Sequence, residues 1–192
     1  MIFDWRIILV FIGVLLSLTA YYRYLRDIFR GNTKPHIYTF LIWTITQGIG
    51  VSAYILGGGG IGVLSLVVGL FFLLCIFLLS FKYGTKDITR SDTVTLFLAL
   101  LAVGFWFLFD NPLVAVLLVT FTDGAGFIPT FRKTYKDPNS ETLSTWVIFG
   151  IGNIIVLATS LEFNLLTMAY SGVLAFCNLT LVLICITRRK KR

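Results

Sequence analysis

A chain of 192 residues that is 57% hydrophobic and only 13% charged departs from soluble domains, in which about a quarter of residues are charged. A mean hydropathy of +0.91, carried by long apolar runs, excludes a disordered chain and leaves room for one membrane domain and no soluble one. The net charge of +7 comes from basic residues grouped between the apolar runs, which reads as a topology signal with attraction to anionic lipids and requires no nucleic-acid partner.

In chain order the apolar runs predict seven helices: Asp4–Tyr24, Ile37–Leu56, Ile61–Phe81, Thr93–Phe109, Leu113–Phe131, Leu143–Ser160 and Asn164–Thr187. Each is near the ~20 residues that cross a ~30 Å hydrocarbon layer at 1.5 Å per residue. Without water to satisfy the backbone, helix is the expected state of every run. The first run lacks a basic n-region and a small-residue cleavage site, with Tyr21-Tyr22 where small residues are wanted, so it is expected as a span rather than a signal peptide. Cys75, Cys177 and Cys185 all fall inside apolar runs and read as small hydrophobes.

The connections Gly57–Gly60, Asp110–Pro112 and Leu161–Phe163 hold no Lys or Arg, whereas the other three and the tail are basic. Of the 16 basic residues, 15 fall on one side and Arg6 alone on the other. The positive-inside rule then places the tail in the cytoplasm and the N-terminus outside, as expected for a multi-pass protein of the cell (inner) membrane.

Tyr24–Gln47 aligns without a gap on Thr130–Asn153, 106 positions later. Arg26 meets Arg132, Thr39 meets Thr145, Phe40 meets Trp146, Trp43 meets Phe149 and Gln47 meets Asn153. The same offset lays helices one to three on five to seven, and pairs Asn178 with Phe72. Two odd-numbered bundles of like orientation need one extra crossing between them. The expected fold is therefore an all-α membrane protein with seven transmembrane helices in a 3+1+3 parallel repeat: residues 1–91, a linker helix within 92–111, and residues 112–192.

Depth along the helices selects candidate site residues. Asp123 lies eight residues before Phe131, about 12 Å at the helical rise. Gln47 and Asn153 lie about 15 Å into their helices and Asn178 about 14 Å from the end of its own. All four share one level near the midplane, where repeat-built transporters bind substrate. A carboxylate there costs about 2.5–3.5 kcal/mol on insertion scales and is expected to face the bundle interior. It suits a hydroxylated solute, a cation or a proton, and equally a helix-gluing hydrogen bond. The amides Gln47 and Asn153 suit a neutral polyol or interhelical glue. Trp43, one turn from Gln47, offers a ring face for stacking or for packing. Pro129 removes a backbone hydrogen bond near Ala125, and with Gly124 and Gly126 it reads as a hinge or a static kink at a cytoplasmic gate.

The segment Gly126-Phe127-Ile128-Pro129-Thr130, followed by Arg132-Lys133 and then Ser140–Trp146, resembles the PQ-loop motif, with Thr130 where that family has Gln. With the seven-helix layout, the chain is similar to SWEET-like membrane proteins, and Gly31–His36 is similar to a Gly-x-Thr-Lys-Pro-His pattern of small bacterial membrane proteins. Asn178 resembles the asparagine that SWEET proteins carry on their last helix. The resemblance implies a transporter or facilitator of a sugar or another neutral polar metabolite, working by alternating access. The alternative is a receptor or assembly factor of the same fold acting through its basic loops and Arg188–Arg192. Neither a catalytic Ser-His-Asp set at depth, nor a metal set, nor a phosphate loop is legible, so an enzyme and a cofactor are not expected. Homo-oligomerisation stays open.

Overall fold

A computed structural model describes residues 5–56, 63–106, 108, 112–159 and 165–189. All seven elements among them are α-helices: α1 Trp5–Phe29, α2 Ile37–Leu56, α3 Val63–Tyr83, α4 Arg90–Trp106, α5 Pro112–Lys136, α6 Leu143–Thr159 and α7 Leu165–Arg189. The connections Gly57–Gly60, Asp110–Asn111 and Leu161–Phe163, and the last three basic residues, lie outside the described residues.

The helices run past the apolar limits read from sequence. α1 continues five residues beyond Tyr24, α4 begins at Arg90 rather than Thr93, and α5 passes through Pro129 to Lys136 rather than stopping at Phe131. Hydropathy marks where side chains turn polar, whereas backbone bonding continues until something stops it. For α1 the stop is Gly31, at φ 73°, the left-handed position that favours glycine. Most of these extensions carry charge suited to the helix dipole. Arg26, Lys82, Lys133, Lys136, Arg188 and Arg189 lie in last turns, and Asp92 lies in the first turn of α4.

α1 and α2 both touch α3, while α5 and α6 both touch α7. Between these groups, α1 touches α6 and α2 touches α5, and α4 rests on α5 and α2. Cross-links at α1–α6 and α2–α5 come from two threonines. Thr39 on α2 donates to the Gly126 carbonyl on α5 at 2.7 Å, and Thr145 on α6 donates to the Ala20 carbonyl on α1 at 3.1 Å.

Polarity is distributed inside out. Phe11 and Leu15 on α1, Phe71 and Leu78 on α3, Phe97 on α4, Phe121 on α5 and Phe176 on α7 are exposed. Asp123, Asn178, Thr39, Thr122, Thr130 and Thr145 are buried. Among the described residues, Met168–Arg189 is the one stretch long and apolar enough throughout to cross a membrane by length and composition, and Val67–Tyr83 and Leu143–Ile155 are shorter apolar helices.

Exposure along α3 and α7 corrects one pairing. Phe71, Leu74, Leu78 and Phe81 face outward like Phe176, Leu179, Leu183 and Ile186, and Ile76 and Ser80 are buried like Leu181 and Cys185. The matching spacing is 105, not 106, so Asn178 corresponds to Leu73 and not to Phe72.

Candidate functional site

A cavity of about 230 Å³ opens between α1, α2, α3, α5, α6 and α7, and among the described residues none from α4 lines it. Asp123, Gln47, Asn153, Asn178 and Trp43 all line it. Their convergence follows from helix geometry: each sits on the face its helix turns toward the other three-helix group.

Asp123 is buried, and its Oδ2 accepts a hydrogen bond from Tyr170 on α7 at 2.7 Å. Asn178 donates through Nδ2 to the Leu174 carbonyl at 2.7 Å, and Asn153 donates to the Phe149 carbonyl at 2.9 Å. Trp43 holds its indole N–H on the Asp123 carbonyl at 3.0 Å and meets Phe127 edge-on with centroids 4.7 Å apart. Its ring is thus fixed by α5 and by an aromatic neighbour, and only part of it borders the cavity.

The proposed hinge residues have distinct surroundings. A Cβ on Gly126 would lie 2.8 Å from Trp43 Nε1, so this glycine is the space into which the indole packs. A Cβ on Gly124 would meet only Val173, at 3.4 Å. Pro129 is buried within continuous α5. Thr39 and Trp43 bond carbonyls on the turn before it, so α2 side chains supply hydrogen bonds to the stretch of α5 that proline weakens.

At the basic end, the cavity floor is tied to charge. Tyr24 and Trp146 line the cavity, and both donate to Glu141, to Oε1 at 3.3 Å and to Oε2 at 2.9 Å. Glu141 also forms an ion pair with Lys133, and both side chains are buried. Lys133 Nζ further reaches the carbonyl of Lys34, and the Lys34 amide donates to the Ser140 carbonyl at 2.9 Å, joining the α1–α2 and α5–α6 connections.

A second cluster fixes α4 to α5. Arg132 donates to Asp92 Oδ1 at 2.9 Å and to Asp87 Oδ2 at 2.8 Å, and Lys136 also reaches Asp87. Burial acts to raise the Asp92 carboxyl, but hydrogen bonds from Arg132 and Thr89 outweigh it and hold the group below the usual carboxylate range. His36 is fully buried, with Nε2 3.4 Å from Asp92 Oδ2 and no hydrogen bond completed by either ring nitrogen. Burial lowers its pKa to about 4, with Asp92 opposing and the cations Lys133 and Arg132 adding to the shift.

Comparison with protein-family models, with characterised proteins and with solved structures finds no match to this chain. The site therefore has to be read from its own geometry.

Several lining residues were not among those selected from sequence. Ser17 stands 106 positions before Asp123, so the repeat offset alone could have found it. Tyr170 and Leu174 lie on the stripe of Asn178 at helical spacing. Tyr24 and Trp146 gave no signal, because aromatics near the polar boundary of an apolar run read as interfacial anchors.

Proposed function

We propose that this protein spans the membrane seven times and carries a small polar solute by alternating access between α1–α3 and α5–α7, with α4 as the linker. The carrying observation is the polar cavity between the two groups, lined from both by Asp123, Gln47, Asn153 and Asn178. Repeat-built transporters bind at the repeat interface near the bilayer midplane.

Three features support the two-halves reading. Contacts of α1, α2 and α3 with one another and across the bundle have the same pattern as those of α5, α6 and α7. Thr39 and Thr145, one offset apart, bond carbonyls that are also one offset apart, Gly126 and Ala20. Exposed apolar faces surround a polar interior, the arrangement suited to lipid and costly in water. Among the described helices α5 averages the least apolar, because it carries polar groups that turn inward, such as Asp123 and Thr122, and charges at its basic end, such as Arg132 and Lys133. The assignment keeps the PQ-loop and SWEET-like resemblance, with the N-terminus outside and the basic ends in the cytoplasm facing anionic lipid.

In this reading the Glu141 network is the cytoplasmic closure. Tyr24 from one half and Trp146 from the other are held together by one carboxylate, itself held by Lys133. Opening toward the cytoplasm separates these groups, so the network sets the preference for the closed side.

The receptor alternative is less well supported. Arg132 and Lys133 are committed to Asp87, Asp92 and Glu141, and Arg189 donates to the Pro138 and Glu141 carbonyls. Uptake into proteoliposomes tests the transport reading. Asp123→Asn and Asn178→Ala are expected to reduce uptake while leaving the unfolding midpoint near that of the parent; full uptake in both variants contradicts the assigned site.

A further inference from the structure

The hydrogen-bonding inventory of the cavity is lopsided. The indole N–H groups of Trp43 and Trp146, one N–H each of Asn153 and Asn178, and the hydroxyls of Tyr24 and Tyr170 donate to the protein itself, while Ser17, Tyr21 and Gln47 add further polar groups to the lining. Among the described residues, Asp123 Oδ1 and Asn178 Oδ1 are buried acceptors without a partner. Thr46 also faces the Asp123 carboxylate, but its hydroxyl is directed to the Ile42 and Trp43 carbonyls, each at 3.2 Å. A buried acceptor left unmade costs about 1–3 kcal/mol, so a fitting ligand gains by donating to both.

Charge has the same asymmetry. Among the described residues, the cavity lining holds one carboxylate and no Lys, Arg or His. Much of the remaining wall is aromatic, including Tyr21 and Phe149 in edge-to-face contact at 5.1 Å, with Leu73, Ile76 and Leu174 between the rings. Ring faces around a carboxylate attract a cation twice over, through the charge and through the ring quadrupoles.

Resting on the transport reading above, we propose that the solute is a small protonated amine. Its N–H groups would donate to Asp123 Oδ1 and Asn178 Oδ1, and its carbon skeleton would lie against the aromatic wall. This replaces the neutral sugar-like metabolite expected from the amide pair. A neutral polyol would leave the one carboxylate of the lining without a counter-charge, whereas a protonated amine supplies it.

The test is titration calorimetry on the purified full chain with propylammonium, 1-propanol, glycerol and glucose at neutral pH, followed by proteoliposome uptake of whichever probe binds. Propylammonium is expected to bind at least about tenfold more tightly than 1-propanol, and Asp123→Asn to weaken it by a similar factor, as loss of a charge-assisted hydrogen bond implies. Asn178→Leu, which keeps a similar branched shape and removes Oδ1, is expected to weaken it as well, with the unfolding midpoint checking that the larger side chain is accommodated. Glycerol or glucose binding and accumulating while propylammonium is silent overturns the amine assignment and leaves the transport reading standing. Propylammonium bound equally by parent and Asp123→Asn also overturns it. Propylammonium bound as expected but not taken up supports the site and contradicts transport. Silence of all four probes overturns the assignment.

Discussion

Thr39 and Thr145 make the same hydrogen bond 106 residues apart: each reaches from the second helix of its group to a carbonyl on the first helix of the other, at Gly126 and Ala20. The bonds are buried, and each crosses the boundary between the groups. They tie α2 to α5 and α6 to α1.

Replacing either threonine by valine keeps the shape and removes the donor, and at position 39 it also removes the bond with the Thr130 hydroxyl at 2.9 Å. Each variant is expected to lose about 0.5–1.5 kcal/mol of stability. Serine at either position retains the hydroxyl and most of that stability. Unfolding midpoints in detergent check this. A Thr39→Val effect with no Thr145→Val effect would mean that the two contacts are not equivalent.

The buried Lys133–Glu141 pair gives a second prediction. Removing one partner from a buried pair leaves an uncompensated charge and costs about 3–5 kcal/mol. Lys133→Met and Glu141→Gln are each expected to be strongly destabilising, and the double variant less so than their sum. In transport assays the surviving variants are expected to favour the cytoplasm-open state, because Tyr24 and Trp146 lose their common anchor. Additive losses would show that the pair is not coupled.

A third prediction separates the two glycines before Pro129. Gly126→Ala places a methyl 2.8 Å from Trp43 Nε1 and must displace the indole from the Asp123 carbonyl, whereas Gly124→Ala meets only Val173. Tight overpacking costs about 1–3 kcal/mol, so Gly126→Ala is expected to lose stability and Gly124→Ala to stay near the parent. If instead both variants fold normally and both slow uptake, the glycines act as a hinge.

A fourth concerns pH. His36 titrates at about 4 in the folded protein against an ordinary 6.5, so the unfolded chain binds the proton more readily. Stability from this residue is intact above about 6.5 and falls as pH drops toward 4. Asp92 is also depressed in the folded state, and its contribution falls at still lower pH. Both act in the same direction, so acid destabilises. His36→Gln is expected to flatten the decline between about pH 6.5 and 4 in a series of unfolding midpoints; an unchanged slope contradicts the buried neutral imidazole.

Much of the site was legible because polar residues in an apolar run are few and depth along a helix follows from counting. Asp123, Gln47, Asn153 and Asn178 converge on one cavity for that reason. The helix ends were less legible, since the apolar stretch of α5 stops near Phe131 while its backbone continues to Lys136. That misplacement hid the Lys133–Glu141 pair: both residues fall between the predicted helices Leu113–Phe131 and Leu143–Ser160, and only the folded connections bury them. Trp43 was read for its ring face, but its N–H serves the α5 backbone, a use that spacing alone does not reveal. The offset of 106 links Thr39 and Thr145, whereas outward-facing residues on α3 and α7 match at a spacing of 105, a difference that only exposure shows.

The most direct measurement of the central claim is side-specific thiol labelling in a background with Cys75, Cys177 and Cys185 replaced by serine. Ser17→Cys borders the cavity, and Phe176→Cys sits on the outward face, where the native ring is 71% exposed. With a small water-soluble thiol reagent on proteoliposomes, the account predicts that Ser17→Cys reacts, with solute altering its rate, and that Phe176→Cys stays unreactive because lipid covers it. Rapid reaction at Phe176→Cys with none at Ser17→Cys would contradict it.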